Sequence, residues 1–471
     1  MLGRLLKYMK IQLKNFNRFE QNRTRIIICI SIFMMLGLLF SYNSYEKYLF
    51  SFLLFSFSSY LLIIVGIFQN VSFGILVFSL LLWMGFWLKN IVHLIFNYDY
   101  LEPIGNFDFS LQSINDLNLI ISISFFSISS AVLILSQLHN NQDYRIVNYN
   151  LEKKTKFYLL LFVFLGMIIS LYINNQFEVL KLGSSVSASS LPWMIRIIPT
   201  VITIIVPIIL YLIFLSEINS KNNKYILILI CICAISISLS IHSRAVLFLW
   251  LSPLIYYLLY FTDIFKKNKI LIIILPILLF ITISAVNYLR YSNTSSKLNF
   301  SEISQNFSKL LVDRWMGIEG LMAVYSYENK SLVEFKKLAL EFREKQKLDY
   351  FTKNIAFGKK EKIFIDIAEK RSFASLPGPI AFLFLANNIN FLICGLFLII
   401  FLIYLLEIVV FKIINNILLT YFFIFLTAFN LSSLGVDTLR GVRMIIFQFV
   451  IVILVVKIVD IIDLKNKGKL E

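Results

Sequence analysis

The sequence predicts an all-α fold: a polytopic integral membrane protein of about twelve transmembrane helices with one large extracytoplasmic helical loop. Composition is the first reason, because 59% of the 471 residues are hydrophobic and 15% are charged, whereas soluble domains have roughly 45–50% and about 25%. The second reason is a series of apolar runs of membrane-spanning length, and the third is the placement of Lys and Arg between them. These observations exclude an ordinary soluble enzyme, a disordered tail and a disulfide-rich secreted scaffold.

Twelve apolar runs are long enough to cross a bilayer as helices. A hydrocarbon core of about 30 Å requires roughly 17–25 apolar helical residues, and open strands would leave backbone groups without partners in lipid. The tenth run leaves room for a short helix before the span itself. In chain order the runs are 26–42, 48–68, 71–89, 117–138, 157–173, 195–216, 225–241, 245–261, 270–287, 379–405, 416–434 and 443–463.

Basic residues determine the predicted orientation. The chain carries 44 Lys and Arg against 27 Asp and Glu, a net charge of +17, which in a soluble protein would suggest nucleic-acid binding. Here the basic residues concentrate in the N-terminal arm, after even-numbered spans and in the C-terminal tail, as they do in the cytoplasmic segments of membrane proteins. The connection 90–116 is acidic instead. We therefore expect both termini in the cytoplasm, no cleavable signal peptide and no nucleic-acid partner.

A long hydrophilic segment between spans nine and ten divides the chain into three parts. Residues 1–286 hold helices one to nine, 287–375 form the extracytoplasmic loop, and 376–471 hold helices ten to twelve. This loop is the only part of the chain with room for a soluble subdomain.

Within this loop the pattern predicts two helices and a sharp turn. Apolar residues at helical spacing predict an amphipathic helix over 300–328. Ser331 followed by Glu334 is a capping-box pattern, which predicts a second helix up to about residue 348. The sequence Pro377-Gly378-Pro379 cannot continue a helix, so it marks a sharp return to the membrane.

Arginine is concentrated at the outer ends of the predicted spans, although the whole chain prefers lysine, 31 to 13. A guanidinium group grips phosphate oxygens with a rigid fork of donors, so these arginines are candidate ligands of a lipid diphosphate. Arg440 and Arg443 would share a helix face and form a clamp at the outer mouth of the last span. The alternative for any single arginine is a contact with lipid headgroups. The candidates are Arg196, Arg244, Arg290, Arg314, Arg440 and Arg443.

Three residues are candidates for acid–base catalysis. Asp313 and Glu319 flank a stretch of the loop whose glycines, Gly317 and Gly320, would share a helix face with Asp313 and let a sugar or another backbone approach. His242 is the only one of the three histidines beside an outer arginine, and a structural role is its alternative. The four cysteines lie in apolar runs without metal-ligand spacing. We expect no metal and no cofactor.

Four local motifs and the topology resemble the bacterial oligosaccharide repeat-unit polymerases of the Wzy type, which make O-antigen or capsule. The resemblance covers most of the chain and implies a fold like that of multi-span, lipid-dependent glycosyltransferases. The motifs are Ser243-Arg244-Ala245 after span seven, Asp313 to Gly320 in the loop, Ser375-Leu376-Pro377-Gly378 at its end, and Arg440-Gly441-Val442-Arg443 before the last span.

The resemblance implies a metal-independent glycosyltransferase of the bacterial inner membrane, with its active site facing the periplasm or exterior. Such an enzyme transfers the growing glycan from one undecaprenyl diphosphate carrier to the next lipid-linked repeat unit. A polysaccharide chain-length regulator is the implied protein partner, and membrane lipids surround the spans. The residues agree with this chemistry, because arginines can stabilise a diphosphate leaving group without a metal.

Two other functions remain open at the level of sequence. The first is a ligase of similar architecture, which passes finished glycan from the same carrier to another acceptor. The second is a flippase or transporter of lipid-linked oligosaccharide. A transporter more often has short loops, paired halves and charges at mid-membrane, so the long outer loop and the outer arginines favour chemistry at the outer surface.

Overall fold

A computed structural model describes residues 2–68, 72–97, 100, 102–138, 150–177, 192–218, 220, 222–261, 269–292, 317–341, 349–357, 377–435 and 438–467. Only the backbone is described for residues 2–23, 193, 194, 196, 259–261, 269–276, 287 and 290–292. All regular secondary structure in these segments is helical, which confirms the predicted all-α class.

The described part of the chain contains fifteen α-helices and, in the loop, a short π-helical segment at Thr352–Ala356. Each of the twelve predicted spans coincides with one of them, and the short helix expected before the tenth span is α12. The helices are α1 (Leu2–Tyr45), α2 (Leu49–Phe68), α3 (Phe73–Phe96), α4 (Leu111–Leu138), α5 (Lys153–Phe177), α6 (Trp193–Ser216), α7 (Asn223–Ser240), α8 (Arg244–Phe261), α9 (Lys269–Ser292), α10 (Ile318–Tyr325), α11 (Leu332–Ala339), α12 (Gly378–Phe384), α13 (Ile389–Ile414), α14 (Ile417–Ser432) and α15 (Thr438–Asn466).

Eight stretches of the described chain are long and apolar enough to cross a membrane, and α8, α9 and α14 contain shorter apolar stretches. The first stretch, Thr24–Ile67, is a helical hairpin: a 3₁₀ turn at Glu46–Tyr48 separates α1 from α2. A hydrogen bond of 2.8 Å between the hydroxyls of Ser31 and Tyr60 joins its two arms. The chain is therefore a polytopic membrane protein, as predicted.

Helix α14 lies inside the bundle and contributes much of its core. Its side chains are apolar around most of its circumference and nearly all are buried, which suits a helix that has neighbours on every side. It packs against α3, α8, α13 and α15. Other helices turn large apolar side chains outward, and Phe40, Phe50 and Phe164 are all more than 60% exposed. An outward apolar surface of this kind suits a hydrocarbon environment.

The two ends of the bundle differ in the segments that pack on them. At one end, called here the loop end, residues from the predicted loop pack on the bundle, and the Gly105 N–H donates to the Ala356 carbonyl at 2.8 Å. At the opposite end, called here the tail end, α15 contacts the chain just before α5. There the Glu152 N–H donates to the carboxylate of Asp463 at 2.8 Å.

The helices of the loop are shorter than expected. The prediction of one helix over 300–328 is wrong, because the backbone leaves the helical region at Gly317 (φ 164°, ψ −104°) and α10 starts only after it. Residues 300–316 lie outside the described residues. Helix α11 begins after its predicted N-cap, Ser331, but ends at Ala339 rather than near residue 348.

The predicted sharp return to the bundle is present at Pro377-Gly378-Pro379. Gly378 has φ 75°, in the left-handed region that favours glycine. Helix α12 starts there and is buried along its whole length, so the chain enters the protein interior before α13 begins. Ser375 and Leu376, which precede the turn, lie outside the described residues.

Candidate functional site

A cavity of about 880 Å³ opens at the loop end of the bundle. Its wall is built from the α1–α2 turn, the end of α3, the connection that follows α3, the start of α4, α10, and the loop residues Ala356 and Phe357. The volume lies within the range of roughly 300–1,000 Å³ that is typical of ligand pockets. Its polar lining includes Asn90, His93, Asn97, Tyr100, Glu102 and Asn118.

Aromatic rings stack along one side of this cavity. The imidazole of His93 lies on the ring of Tyr100, with centroids 4.2 Å apart and 17° between the planes. Tyr100 stacks in turn on Phe109, with centroids 6.2 Å apart and 10° between the planes. The Tyr100 hydroxyl donates to the side-chain oxygen of Asn90 at 3.3 Å. Flat ring faces beside amide groups provide both apolar contact and hydrogen bonding to a polar, ring-shaped ligand.

The last turns of α3 position these groups. A π-helical turn at Met84–Leu88 interrupts α3, and a π-turn inserts one residue and so rotates everything after it relative to the turns before. Lys89 and His93, four residues apart, lie on one face of the final segment, and both are buried. The helix ends at Asn97, which has φ 49° and donates its N–H to the His93 carbonyl.

Lys89 forms an ion pair with Glu319, which is one of the three predicted catalytic residues. The Lys89 side chain is 0% exposed and that of Glu319 is 1% exposed, so both charges have been removed from water. Burial raises the pKa of the Glu319 carboxyl, and the Lys89 ammonium opposes this rise. Leaving either charge buried alone would be costly, so the pair ties α10 to the end of α3.

Glycines allow α10 to approach its neighbours at backbone contact. A Cβ added to Gly317 would overlap the backbone of Gly85 in the π-turn, and one added to Gly320 would overlap the backbone of Pro377. Gly435, before α15, packs on the ring of the same Pro377. Gly317 and Gly320 were expected to let a sugar or another backbone approach, and in the structure both lie against backbone. The prediction that Asp313 shares a helix face with these glycines is wrong, because Gly317 is not helical.

Helix α11 is anchored next to α10. The Ser331 hydroxyl accepts from the Glu334 N–H at 3.3 Å, which confirms the predicted N-cap. The Glu334 carboxylate accepts hydrogen bonds from Lys337, at 2.6 Å, and from the Tyr350 hydroxyl. Burial alone would raise the pKa of Glu334, but these hydrogen bonds outweigh it and the pKa is lowered. The carboxylate therefore stays ionised and holds the two parts of the loop together.

His242 and Arg244 lie in the tight turn between α7 and α8. His242 is buried and has φ 52°, in the left-handed region, and Arg244 is the first residue of α8 and is half-buried. His242 lines a second cavity of about 420 Å³ together with Tyr172 and Asn174. This cavity shares no lining residue with the one at His93. Of the two predicted catalytic residues that the structure describes, His242 therefore lines the second cavity, whereas Glu319 is buried in the ion pair with Lys89.

Arg440 and Arg443 lie in the first two turns of α15, at the loop end, and both are exposed. Their spacing of three residues puts them on one helix face, as predicted. The space beside them is open, because a Cβ added to Gly441 would meet no atom within 4 Å. The pair is therefore accessible to an anion from outside the bundle.

The other predicted site residues are described partly or not at all. Arg196 lies in α6 and Arg290 in α9, and only their backbone is described. Asp313 and Arg314 lie outside the described residues.

The cavity residues on α3 and on the connection after it were not among the predicted site residues. Lys89 is the last residue of the third predicted span, and His93 follows it by four residues. The one available signal was their spacing of four residues at the end of an apolar run. Tyr100 and Glu102 carry no motif, and Tyr100 is positioned by its contacts with His93 and Asn90 of α3.

One family model matches the chain, that of the O-antigen polysaccharide polymerase Wzy, over residues 26–364. The match runs from α1 to the loop and includes His93, His242, Arg244 and Glu319, whereas Arg440 and Arg443 follow it. No curated protein and no solved structure matches the chain significantly. Because the family model covers more than two thirds of the sequence, the chain belongs to the O-antigen polysaccharide polymerase Wzy family, with a role in polysaccharide biosynthesis.

Proposed function

We propose that the protein polymerises undecaprenyl-diphosphate-linked oligosaccharide repeat units into surface polysaccharide, either O-antigen or capsule, by transferring the growing glycan from its lipid carrier to the next repeat unit. The cavity at the loop end carries this proposal. Its stacked rings at His93, Tyr100 and Phe109 suit contact with sugar faces, and amides such as Asn90 and Asn118 suit hydrogen bonds to sugar hydroxyls. We assign this cavity to the acceptor repeat unit.

The distribution of charge supports an orientation with the loop end outside the inner membrane. Cytoplasmic segments of membrane proteins are enriched in Lys and Arg. The loop end carries the acidic residues Glu102, Asp108 and Asp116 near the cavity. The tail end carries Lys153, Lys154, Lys156, Lys412, Lys465 and Lys467. In this orientation both termini are cytoplasmic and the cavity faces the periplasm or exterior.

The arginines at the loop end are the proposed ligands of the lipid diphosphate. Arg440 and Arg443 are exposed on one face at the start of α15, where the positive end of the helix dipole also favours an anion. Two guanidinium groups can neutralise the charge that develops on the diphosphate when the glycosidic bond breaks. Arg196, Arg244, Arg290 and Arg314 remain further proposed members of this group. This chemistry requires no metal or cofactor.

The membrane and one further protein are the proposed partners. The outward apolar side chains of the spans suit contact with lipid, and a polysaccharide chain-length regulator is the expected partner of a polymerase that makes chains of defined length. No nucleic acid is part of this function, since the positive charge of the chain is explained by orientation and by the diphosphate.

Incubation of the purified protein with defined lipid-linked repeat units tests the proposal directly. A polymerase yields a ladder of products that differ by one repeat unit. A ligase yields a transfer product only when a separate acceptor is present, and a transporter yields neither in detergent solution. Either of the last two results would contradict the proposal.

Arg440→Ala tests the diphosphate clamp. We expect this exposed substitution to abolish the ladder while the protein still inserts and keeps its apparent melting temperature, because the side chain supports no core packing. Lys465→Ala is the matched control, since Lys465 is an exposed basic residue at the tail end of the same helix. Arg244→Ala is expected to behave as Arg440→Ala does. A normal ladder from both arginine variants would refute the clamp.

Arg314→Lys tests whether Arg314 binds phosphate through two donors. Lysine keeps the charge but lacks the rigid fork of donors, so we expect shorter glycan chains from this variant. Chains of wild-type length, measured on the same gel, would argue against bidentate phosphate binding by Arg314.

A further inference from the structure

We propose that His93 is the general base of the polymerase and takes the proton from the acceptor hydroxyl, an inference that rests on the proposed function. His93 is a different residue from the three acid–base candidates that the sequence indicated. Three features of the described structure support it: its place in the wall of the cavity, the contacts that orient its ring, and the pair of buried charges behind it.

The position of His93 suits contact with an acceptor. Its side chain lines the cavity of about 880 Å³ and is 5% exposed. Asn90, Asn97 and Glu102 line the same wall and can hold sugar hydroxyls near the imidazole. A general base must lie within hydrogen-bond reach of the proton that it removes, and a sugar bound in this cavity fulfils that requirement.

The ring of His93 is held in one orientation. Tyr100 covers one face at 4.2 Å between centroids, and the Tyr100 hydroxyl is itself bonded to Asn90 at 3.3 Å. The backbone of His93 is fixed as well, because its carbonyl accepts the N–H of Asn97 at the end of α3. A base on a rigid element loses little entropy when it engages the substrate.

Charges of both signs lie behind the ring. Lys89 is one helical turn before His93 on the same face, and Lys89 is paired with Glu319 of α10. Glu319 is close enough to His93 for the two to interact electrostatically, so its carboxylate can offset the repulsion between the Lys89 ammonium and the imidazolium formed when the proton arrives. The titratable groups that face His93 from the surrounding elements are Lys89 on its own helix, Glu319 on α10, Tyr100 and Glu102 on the connection after α3, and Tyr48 in the α1–α2 turn.

The proposed step is balanced without another reactant. The oxygen of the acceptor hydroxyl forms a bond to the anomeric carbon of the donor glycan. The bond between that carbon and the diphosphate oxygen breaks, and its electron pair stays on the released lipid diphosphate. The hydroxyl proton passes to the His93 imidazole and from there to water.

Two variants test the proposal with purified protein and defined lipid-linked units. His93→Phe keeps a ring on Tyr100 but accepts no proton, and His93→Ala leaves space for added imidazole. We expect kcat of His93→Phe to fall about 10²–10⁴-fold, as loss of a general base does, with KM changed less. We expect imidazole to restore part of the activity of His93→Ala. Wild-type kcat in His93→Phe, a change in KM alone, or failure of imidazole to rescue would each overturn the assignment.

A measurement on the wild-type protein keeps the proposal testable if the variants do not fold. A histidine base is inactive when protonated, so kcat of the wild type is expected to fall as the pH is lowered. A kcat that stays constant as the pH is lowered would overturn the role of His93. The product ladder of the wild-type protein tests the proposed function separately. If the wild type makes a ladder and the His93 variants remain fully active, the proposed function stands and only the role of His93 is refuted.

Discussion

Replacing Lys89 by Met removes one partner of a buried ion pair, and its effect follows from the burial of both side chains. Neither side chain is more than 1% exposed, so Glu319 would be left inside the protein without its counter-charge. Breaking a pair of this kind costs about 3–5 kcal/mol, against a total stability of roughly 5–15 kcal/mol for a typical domain. We therefore expect Lys89→Met to lower the apparent melting temperature clearly.

The loss of stability in Lys89→Met is expected to be smaller at low pH than at high pH. Burial raises the pKa of Glu319 and Lys89 opposes that rise, so removing Lys89 raises the pKa further. A carboxyl whose pKa is higher in the folded state contributes stability below its unfolded pKa of about 4.3, and this contribution is lost as the pH rises through the folded pKa. Acid therefore restores stability to Lys89→Met, but it does not restore Glu319→Gln, which retains a buried ammonium group.

The assay is thermal unfolding in one detergent at a fixed heating rate, since unfolding of a large membrane protein is often irreversible. Tryptophan fluorescence reports on the site, because Trp87 is buried in the π-turn just before Lys89. The double variant Lys89→Met with Glu319→Met is the control, and it should recover most of the loss because apolar pairs replace buried ion pairs well. Equal losses for Lys89→Met at pH 5 and pH 8, or no loss at either, would refute the reasoning.

The remaining predictions concern backbone contacts, a helix cap and a buried carboxylate. Gly320→Ala should lower the melting temperature, because its Cβ would overlap the backbone of Pro377. Gly441→Ala should leave the melting temperature unchanged or raise it, because its Cβ would meet open space. Equal changes in the two variants would contradict this prediction. Ser331→Ala should cost about 1 kcal/mol through loss of an N-cap, visible as faster proteolysis of the loop. Glu407→Gln should lower the melting temperature, because this buried carboxylate accepts the first N–H groups of α3; an unchanged temperature would show that the amide substitutes fully.

The sequence predicted the helical elements well because their signals are local. An apolar run of membrane-spanning length is visible without any knowledge of its neighbours, and each run coincides with a helix. The N-cap at Ser331 and the turn at Pro377 were predicted for the same reason, since three or four adjacent residues determine each. The prediction of a helix over 300–328 failed at Gly317: the apolar spacing continues through this residue, but its backbone is not helical and packs closely on the backbone of Gly85.

The candidate site was predicted less completely. Reasoning from residue type proposed Glu319 in the loop and the pair Arg440 and Arg443, and the structure shows the first in a buried ion pair and the other two exposed on one helix face. It did not identify His93, because nothing adjacent in the sequence indicates that its ring faces a cavity. The cavity arises where four stretches of the chain meet, 44–48, 90–118, 318–322 and 356–357, so no single segment carries its pattern.

Length, hydropathy and charge determined by themselves that this chain is a helical membrane protein with a long loop, because the bilayer constrains each span independently of the others. Only the tertiary structure decided that Lys89 and Glu319, more than two hundred residues apart, form a buried ion pair next to His93. The physical reason is that a buried charge needs a partner in space, and the sequence does not record which distant segment supplies it.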